Sequence, residues 1–263
     1  MFKTLLKIIF ALVGVALVLV AGLALTLYLS LQAKPPSSYF DLQGTPPGVD
    51  APPVLIFGAT RGTGLEVAKL LSARGESFVA FVRPSSNRSE LEKLNAAFVV
   101  GDATDMASVQ TAVSSQPFRA IVSTIGCLSC EPPPDFIGNR NITDAAVEAG
   151  VPRMVLVTSL GTGDSKDAPP FVSRLFLRKI LPLKEQAEEH LKASGLDYTI
   201  IRPGGLRPAD APITGQGYLS EDRAAFGFMH RADLAEMIVG ALDDDRTIGK
   251  TFSAADKTVD SPW

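Results

Sequence analysis

Three closely spaced glycines, Gly58, Gly62 and Gly64, are the residues whose types and spacing are best suited to chemistry. Four apolar residues typical of a buried strand, 54–57, precede them, and an apolar-periodic helix follows from Leu65. Glycines at a strand-to-helix turn let backbone N–H groups approach phosphates, and the helix N-terminus adds partial positive charge. The pattern predicts a pyrophosphate site formed by Gly58, Thr60, Arg61, Gly62, Thr63 and Gly64. The alternative is an ordinary tight turn.

The end of the second predicted strand indicates which dinucleotide binds. In NAD-binding folds an acidic residue about 20 residues after the glycines holds the ribose 2′-hydroxyl. Residues 81–88 contain no acid and instead carry Arg83 and Arg88, with serines between them. Because the guanidinium is a planar fork that suits phosphate, we expect Arg83 to contact a 2′-phosphate and NADP(H) to be preferred. A solvated basic loop is the alternative.

Apolar strands and helices alternate through most of the chain. Strands are predicted at 54–57, 77–82, 97–100, 120–124, 154–158, 198–201 and 251–253, and the later helices at 89–95, 106–113, 142–149, 184–193 and 232–242. This alternation predicts an α/β fold with a doubly wound parallel (Rossmann) sheet over residues 53–263 and a ligand at the carboxyl ends of its strands. The chain of 263 residues is long enough for one such domain, and its net charge of −3 argues against nucleic acid as a partner.

The first fifty residues differ from the rest. Residues 8–29 carry no charge, Lys3 and Lys7 precede them, and Tyr28 lies at their far end. This length is sufficient to cross a bilayer, so we expect one transmembrane helix in a membrane anchor over residues 1–32. A cleaved signal peptide and a buried core helix are the alternatives. Residues 33–52 are rich in proline and glycine and are expected to form a semi-extended linker.

Two arguments about the membrane side of the domain disagree. Lys3 and Lys7 outweigh Lys34, so the positive-inside rule places the N-terminus in the cytosol and the domain outside. A nicotinamide cofactor is most available in the cytosol, and on this ground we expect the domain on the cytosolic face.

Several further stretches of the sequence form a pattern with the glycine turn. They are GATRGTG, FVRP, GDATD, STIG, VTSLGTGDS, KEQAEEHLKASGLDYTIIRPGGL and HRADLAE, between about Pro53 and the C-terminus. In this order they resemble the short-chain dehydrogenase/reductase superfamily, and more closely its atypical branch, which includes NmrA-like proteins and flavin (biliverdin B) reductases. The resemblance implies a small-molecule substrate without identifying it.

The resemblance also implies cofactor contacts at the positions that match the family's motifs. Those beside the adenine and the inner ribose are Asp102, Ala103, Ser123, Thr124 and Gly126. Residues 202–204, including Pro203, would lie near the nicotinamide amide.

The same resemblance implies catalytic roles for Ser159 and Lys184. Lys184 would also hold the nicotinamide ribose. The superfamily's Tyr-x-x-x-Lys motif is incomplete, because Ile180 stands at the tyrosine position. Hydride transfer remains feasible because the cofactor carries the difficult chemistry. The proton would come from Ser159, water, Tyr218 or the substrate. A solvated helix position is the alternative for Lys184.

Cys127 and Cys130 are the only cysteines and follow the fourth predicted strand as C-x-x-C. They could form a redox dithiol near the nicotinamide, shape a proline-rich loop, or close as a disulfide in an oxidising compartment. Zinc needs four ligands and no second pair exists, so no metal site is expected. His190 is expected to face solvent, and neither it nor His230 has a metal partner.

Residues 171–181 are basic and amphipathic. They could touch a membrane surface, although the resemblance favours a variable segment over the active site. Their apolar character favours a hydrophobic or planar substrate. The sequence therefore predicts a membrane-tethered NADPH-dependent oxidoreductase of the atypical short-chain type. The alternatives are a non-catalytic NADP(H)-binding regulator or assembly factor and a sugar-nucleotide epimerase, for which the region after Arg202 is short.

Overall fold

The computed structural model describes residues 2–30, 32–48 and 50–260, which fall into two units. The first unit is helix α1 (Phe2–Ser30), and the second is a compact domain that begins at Ala33. Among the described residues we find no helix that combines the length and the apolar character needed to cross a membrane. The predicted transmembrane helix is therefore not supported by the structure.

The second unit alternates strands with helices. Its strands are β1 (Val54–Phe57), β2 (Phe78–Val82), β3 (Ala97–Val100), β4 (Ala120–Ser123), β5 (Arg153–Val157), β6 (Asp197–Pro203), β7 (Gly205–Leu206), β8 (Gly217–Ser220), β9 (Phe228–Met229) and β10 (Lys250–Asp256). Its helices are α2 (Gly62–Ala73), α3 (Ser89–Glu92), α4 (Met106–Val113), α5 (Pro134–Ala149), α6 (Phe171–Leu177), α7 (Leu181–Ala193) and α8 (Arg231–Leu242), with 3-10 turns at Gly163–Ser165 and Asp245–Thr247.

Eight of the strands form one sheet in the order β3-β2-β1-β4-β5-β6-β10-β8. Strand β1 is central, with Ile56 beside Ala80 of β2 and Val122 of β4. Every neighbouring pair in this sheet is parallel except β10 with β8, and β7 pairs with β9 separately. The predicted α/β Rossmann-like parallel sheet is confirmed.

The core lies on both faces of this sheet. Val54 and Ile56 of β1 pack with α2 and α8, whereas Leu55 and Phe57 pack with α4, α5 and α7. Successive strand residues point to opposite faces, so a strand covered on both sides is apolar throughout. Full burial of each such side chain contributes about 1.5–3 kcal/mol. This burial holds the sheet in place and fixes the positions of the loops at its ends.

Two helices begin earlier than the sequence predicts. Helix α5 begins at Pro134 rather than at residue 142, and α7 begins at Leu181 rather than at Lys184. Both have proline in the first turn, where its missing N–H and fixed φ are compatible with a helix. The earlier starts bring residues 134–141 and 181–183 into elements that border the carboxyl ends of the strands.

Residues 33–48, most of the predicted linker, lie along the domain. Lys34 forms a β-bridge with Phe226, and Phe40 forms one with Leu219 of β8. The Gln43 backbone N–H donates to Asp244 Oδ2 at 2.8 Å. The segment contains no helix or strand, as its prolines predict, but its backbone hydrogen bonds and the Phe40 ring fix it to the sheet edge.

Candidate cofactor and active site

A cleft of about 1090 Å³ opens where the parallel strands end. Residues that follow or end β1, β2, β4, β5 and β6 line it, which is where doubly wound sheets bind ligands. Among the lining residues are Gly58, Thr60, Arg61, Gly62, Thr63, Phe81, Arg83, Ser86, Asp102, Ala103, Thr104, Thr124, Ile125, Gly126, Cys127, Cys130, Pro132, Pro134, Val157, Thr158, Lys184, Pro203, Leu206, Pro208, Ala209 and Arg231.

The glycine turn forms one end of the cleft. Gly58 has φ +90° and Gly62 has φ +58°, in the left-handed region that glycine enters without strain. A Cβ on Gly58 would lie 2.6 Å from Thr124 Oγ1, and one on Gly64 would overlap the Gly58 carbonyl oxygen. Gly64 itself is buried beneath the turn and does not line the cleft. Helix α2 begins at Gly62, so the turn and the helix N-terminus together fit a pyrophosphate.

Arg231 adds positive charge to this end. Its Nε lies 3.7 Å from the position that a Cβ on Gly62 would occupy, and its Nη1 donates to the Arg207 carbonyl at 2.6 Å. The sequence analysis assigned no role to this arginine, although it lies within the HRADLAE stretch that carries the resemblance. A cation beside the N-terminus of α2 strengthens the attraction for phosphate.

The end of β2 places only one of the two candidate arginines in the cleft. Arg83 and Ser86 line it, whereas the guanidinium of Arg88 lies over the ring of Phe98 at 5.9 Å and does not. Asp102 and Ala103 also line the cleft near this end, as the resemblance implies. Asp102 Oδ1 accepts a hydrogen bond from the Thr104 backbone N–H at 2.9 Å, which fixes the turn after β3.

Of the cofactor contacts predicted at and just after the end of β4, two line the cleft and one is buried in the core. Thr124 and Gly126 line the cleft. Ser123 is fully buried and donates from Oγ to Asn139 Oδ1 at 2.6 Å, so it supports the wall from behind.

Lys184 lines the same cleft as the glycine turn. It is carried by α7, and its Nζ lies 2.9 Å from Oδ1 of Asp135, a fully buried carboxylate of α5. Asp135 was not among the predicted site residues, because α5 begins eight residues earlier than the sequence pattern indicates. The available signal was the proline run 132–134, which precedes an acid suited to a first helical turn.

Ser159 lies just after β5, the position that the resemblance implies for the active-site serine. It does not line the cleft, and its Oγ donates to the Leu160 carbonyl at 3.0 Å. Thr158 lines the cleft instead, but its hydroxyl donates to the buried Glu188 Oε1 at 2.6 Å. Of the predicted catalytic pair, Lys184 lines the cleft and Ser159 does not.

Arg202 also differs from expectation. It is fully buried, with its Nε 2.9 Å from Glu188 Oε1, its Nη2 2.6 Å from Glu188 Oε2, and Asp164 as a further partner. Burial alone would lower the pKa of Arg202, but the hydrogen bonds and charges of Glu188 and Asp164 raise it above its usual value. Its role is structural, and of residues 202–204 only Pro203 lines the cleft.

Cys127 and Cys130 form a disulfide in the cleft wall. Because a disulfide is also the oxidised state of a redox dithiol, the redox interpretation stays a prediction. The backbone N–H of Cys127 donates to Asp135 Oδ2 at 2.9 Å, so the same carboxylate contacts both the lysine and the disulfide loop.

Tyr218, the remaining candidate for proton transfer, lies outside the cleft, as do both histidines. Tyr218 is buried in β8 against the ring of Tyr39, and burial raises its pKa well above its usual value. His230 caps α8: its Nδ1 accepts from the Ala232 N–H at 3.1 Å, and its Nε2 lies 3.2 Å from the Ala209 carbonyl. His190 pairs with Asp144 at 2.6 Å rather than facing solvent alone.

Comparison with known proteins agrees with this geometry. A family described as NAD(P)H-binding matches residues 58–245. The chain belongs to this NAD(P)H-binding family. The resemblance to atypical short-chain dehydrogenases/reductases is thereby confirmed, and the chain takes its place among NAD(P)-dependent oxidoreductases of that type.

Three relatives illustrate the membership in the NAD(P)H-binding family. The solved structure of ChuY, an anaerobilin reductase from Escherichia coli O157:H7, is 31% identical with a TM-score of 0.71, over 79% of this chain and 98% of that one. Sanguinarine reductase of Eschscholzia californica is 36% identical over 126 residues, 47% of this chain and 45% of that protein. The sugar epimerase YhfK of Bacillus subtilis, named as uncharacterized, is 28% identical over 205 residues, 76% of this chain and 92% of that protein.

Proposed function

We propose that the protein is an NADPH-dependent reductase that transfers hydride to an apolar or planar acceptor. The observation that carries the proposal is one continuous cleft that is lined by both the glycine turn and Lys184. Arg231 and the N-terminus of α2 provide positive charge for the pyrophosphate, and Lys184 provides a donor for the nicotinamide ribose. Bound NADPH would supply the hydride.

The preference for NADPH rests on Arg83. It lines the cleft at the end of β2 together with Ser86, and residues 83–88 hold no carboxylate that would bind a 2′-hydroxyl and repel a 2′-phosphate. The guanidinium presents paired donors to a phosphate.

The proton of the reduction has no dedicated side-chain donor in this proposal. Of the described residues that line the cleft, none is a tyrosine or a histidine, and the hydroxyl of Thr158 is bonded to Glu188. Lys184 is held in an ion pair and serves to bind and orient. An acceptor that takes its proton from water suits such a site, as a quinone or a conjugated ring system does.

The acceptor class is supported by the cleft wall. Its apolar members are Ile125, Pro132, Pro134, Val157, Pro203, Leu206, Pro208 and Ala209. Sites for apolar ligands combine such a wall with few polar groups. Two of the relatives are named as reductases, of anaerobilin and of sanguinarine.

The experiment is a turnover assay with the full chain. NADPH oxidation is followed at 340 nm with quinones, planar conjugated acceptors and small polar carbonyl compounds, and 4-deuterated NADPH is used to trace the hydride into the product. We expect turnover with the planar apolar acceptors. Turnover confined to small polar carbonyl compounds would contradict the acceptor class, and NADPH binding without any turnover would favour the second candidate below.

The second candidate is an NADP(H)-binding regulator or assembly factor without turnover. It is favoured by Ser159, whose hydroxyl is bonded to the Leu160 carbonyl rather than directed into the cleft. A regulator would bind NADPH and NADP⁺ with different affinities and change its own partner binding accordingly, which a pull-down at each cofactor state would measure.

We also propose, from the sequence, that the chain is attached to a membrane through its N-terminus. The support is the uncharged stretch 8–29 and the exposure of apolar side chains of α1 such as Leu23 and Val18. Carbonate extraction of membranes from cells that express the full chain tests the attachment. Recovery in the soluble fraction would contradict it.

A further inference from the structure

The buried carboxylate of Asp135 is a charged group to which the sequence analysis gave no role. It lies in the first turn of α5, and none of its surface is exposed. Its Oδ1 is 2.9 Å from Lys184 Nζ, and its Oδ2 accepts the Cys127 backbone N–H at 2.9 Å. A buried charge is costly unless it is paired, so the carboxylate holds both partners firmly.

Gly126 allows this ion pair to reach the cleft. A Cβ on Gly126 would lie 2.9 Å from Asp135 Oδ1 and 3.0 Å from Lys184 Nζ. Both Gly126 and Lys184 line the cleft, whereas Asp135 does not. Asp135 therefore reaches a ligand only through the lysine.

Asp135 is itself fixed from behind. The side-chain amide of Asn139 donates to the Asp135 backbone carbonyl at 2.8 Å, and Asn139 Oδ1 accepts from Ser123 Oγ. The disulfide of Cys127 and Cys130 closes the loop whose N–H reaches Oδ2. By contrast, a lysine side chain has a flexible four-carbon stem that samples many rotamers when it has no partner.

We infer that Asp135 is a positioning residue for the cofactor: its carboxylate fixes the ammonium of Lys184 where the nicotinamide ribose binds. The inference rests on the proposed NADPH binding and adds the residue that prepares the site before the ligand arrives. Because the lysine is preorganised, less conformational freedom is lost on binding.

The test uses the full chain and two ligands, measured by titration calorimetry. NADPH carries the nicotinamide ribose that Lys184 would hold, whereas adenosine 2′,5′-bisphosphate lacks this ribose and reports the adenosine side alone. For Asp135→Asn we expect the Kd for NADPH to rise roughly tenfold and the Kd for the bisphosphate to stay unchanged. In a Lys184→Met background, Asp135→Asn should produce no further change in either Kd.

Two further variants make the test independent of misfolding. Asp144→Asn is the matched control, since Asp144 lies on the same helix and pairs with His190 of α7 away from the cleft. It should leave both Kd values unchanged. Asn139→Ala removes the amide that donates to the Asp135 backbone carbonyl and does not line the cleft, so it should weaken NADPH binding selectively, though less than Asp135→Asn does, and it serves if the Asn variant does not fold.

The outcomes separate the inference from the function on which it rests. Unchanged NADPH binding in both Asp135→Asn and Asn139→Ala would overturn the positioning role. An equal loss for NADPH and the bisphosphate would also overturn it, because that pattern is general damage to the fold. If the wild-type chain binds neither ligand, the proposed function fails first, and the inference fails with it.

Discussion

Two regions of the cleft, the glycine turn at the pyrophosphate end and the surroundings of Lys184, are built in different ways. At the pyrophosphate end, the turn of residues 58–64 presents backbone groups, and its shape depends on φ values and close packing within one short segment. At the Lys184 end, a side chain of α7 is held by a carboxylate of α5 and, through it, by the loop after β4. The first end is encoded locally, and the second exists only once distant segments have packed together.

We expect the largest effect from removing the charge of Arg202, which is buried and does not line the cleft. Arg202→Met should lower the free energy of unfolding by about 3–5 kcal/mol, because it leaves Glu188 buried without its partner. Denaturant unfolding measures this loss. Arg174→Met, at an exposed pair with Asp167, should cost at most about 1 kcal/mol. An equally small loss for Arg202→Met would show that its network is not structural.

The next effect tests the pyrophosphate end. Gly64→Ala places a Cβ against the Gly58 carbonyl oxygen, so the turn must open and the NADPH Kd should rise by roughly 100-fold or more. Calorimetric titration gives the Kd, and a thermal melt checks that the variant is folded. Gly48→Ala is the control, since nothing lies within 4 Å of its Cβ position. NADPH binding by Gly64→Ala at the wild-type Kd would contradict the assigned pyrophosphate turn.

A smaller effect should distinguish the two dinucleotides. Arg83→Gln removes the proposed 2′-phosphate contact and should raise the NADPH Kd by about tenfold or more, with the NADH Kd unchanged. Arg88→Gln should change neither, because Arg88 lies over Phe98 outside the cleft. Parallel losses of NADPH and NADH affinity in Arg83→Gln would refute the phosphate contact.

The smallest effect concerns the disulfide at the Lys184 end. Reduction of Cys127–Cys130 frees the loop that donates to Asp135, and we expect the NADPH Kd to rise by roughly threefold, a fraction of one charge-assisted hydrogen bond. Titration with and without a dithiol reductant measures it. The double variant Cys127→Ser, Cys130→Ser should show the raised NADPH Kd both with and without the reductant. A reductant effect that persists in the double variant would place its cause elsewhere.

The contrast between the two ends explains how much the sequence alone could predict. The strand, the glycines and the helix start lie next to one another in the sequence, and their physical roles follow from backbone geometry. Their placement around the cleft, like the parallel sheet, follows the prediction, except that Gly64 lies underneath. Strand β8 was missed because a short antiparallel edge strand has little apolar periodicity of its own.

The arrangement around Lys184 could be predicted from the sequence only in part. The resemblance indicated Lys184, but its partner depends on where α5 begins, and a proline run obscures that start in the sequence. Ser159 and Arg202 were assigned from their motif positions, and motifs do not specify side-chain direction. Their actual partners, the Leu160 carbonyl for one and Glu188 with Asp164 for the other, are set by packing between α7, β6 and the loop after β5.

The segment from Lys34 to Gln43 has a consequence for self-association. Its bridge at Phe40 and the hydrogen bond from Ser220 Oγ to the Ser38 carbonyl occupy the outer side of β8, the open border of the eight-stranded sheet. An uncovered border strand offers a row of free N–H and C=O groups to any other strand, including that of an identical molecule. A chain cut back to Pro53 would expose that row, and it should aggregate at concentrations where a chain that begins at Ala33 remains monodisperse.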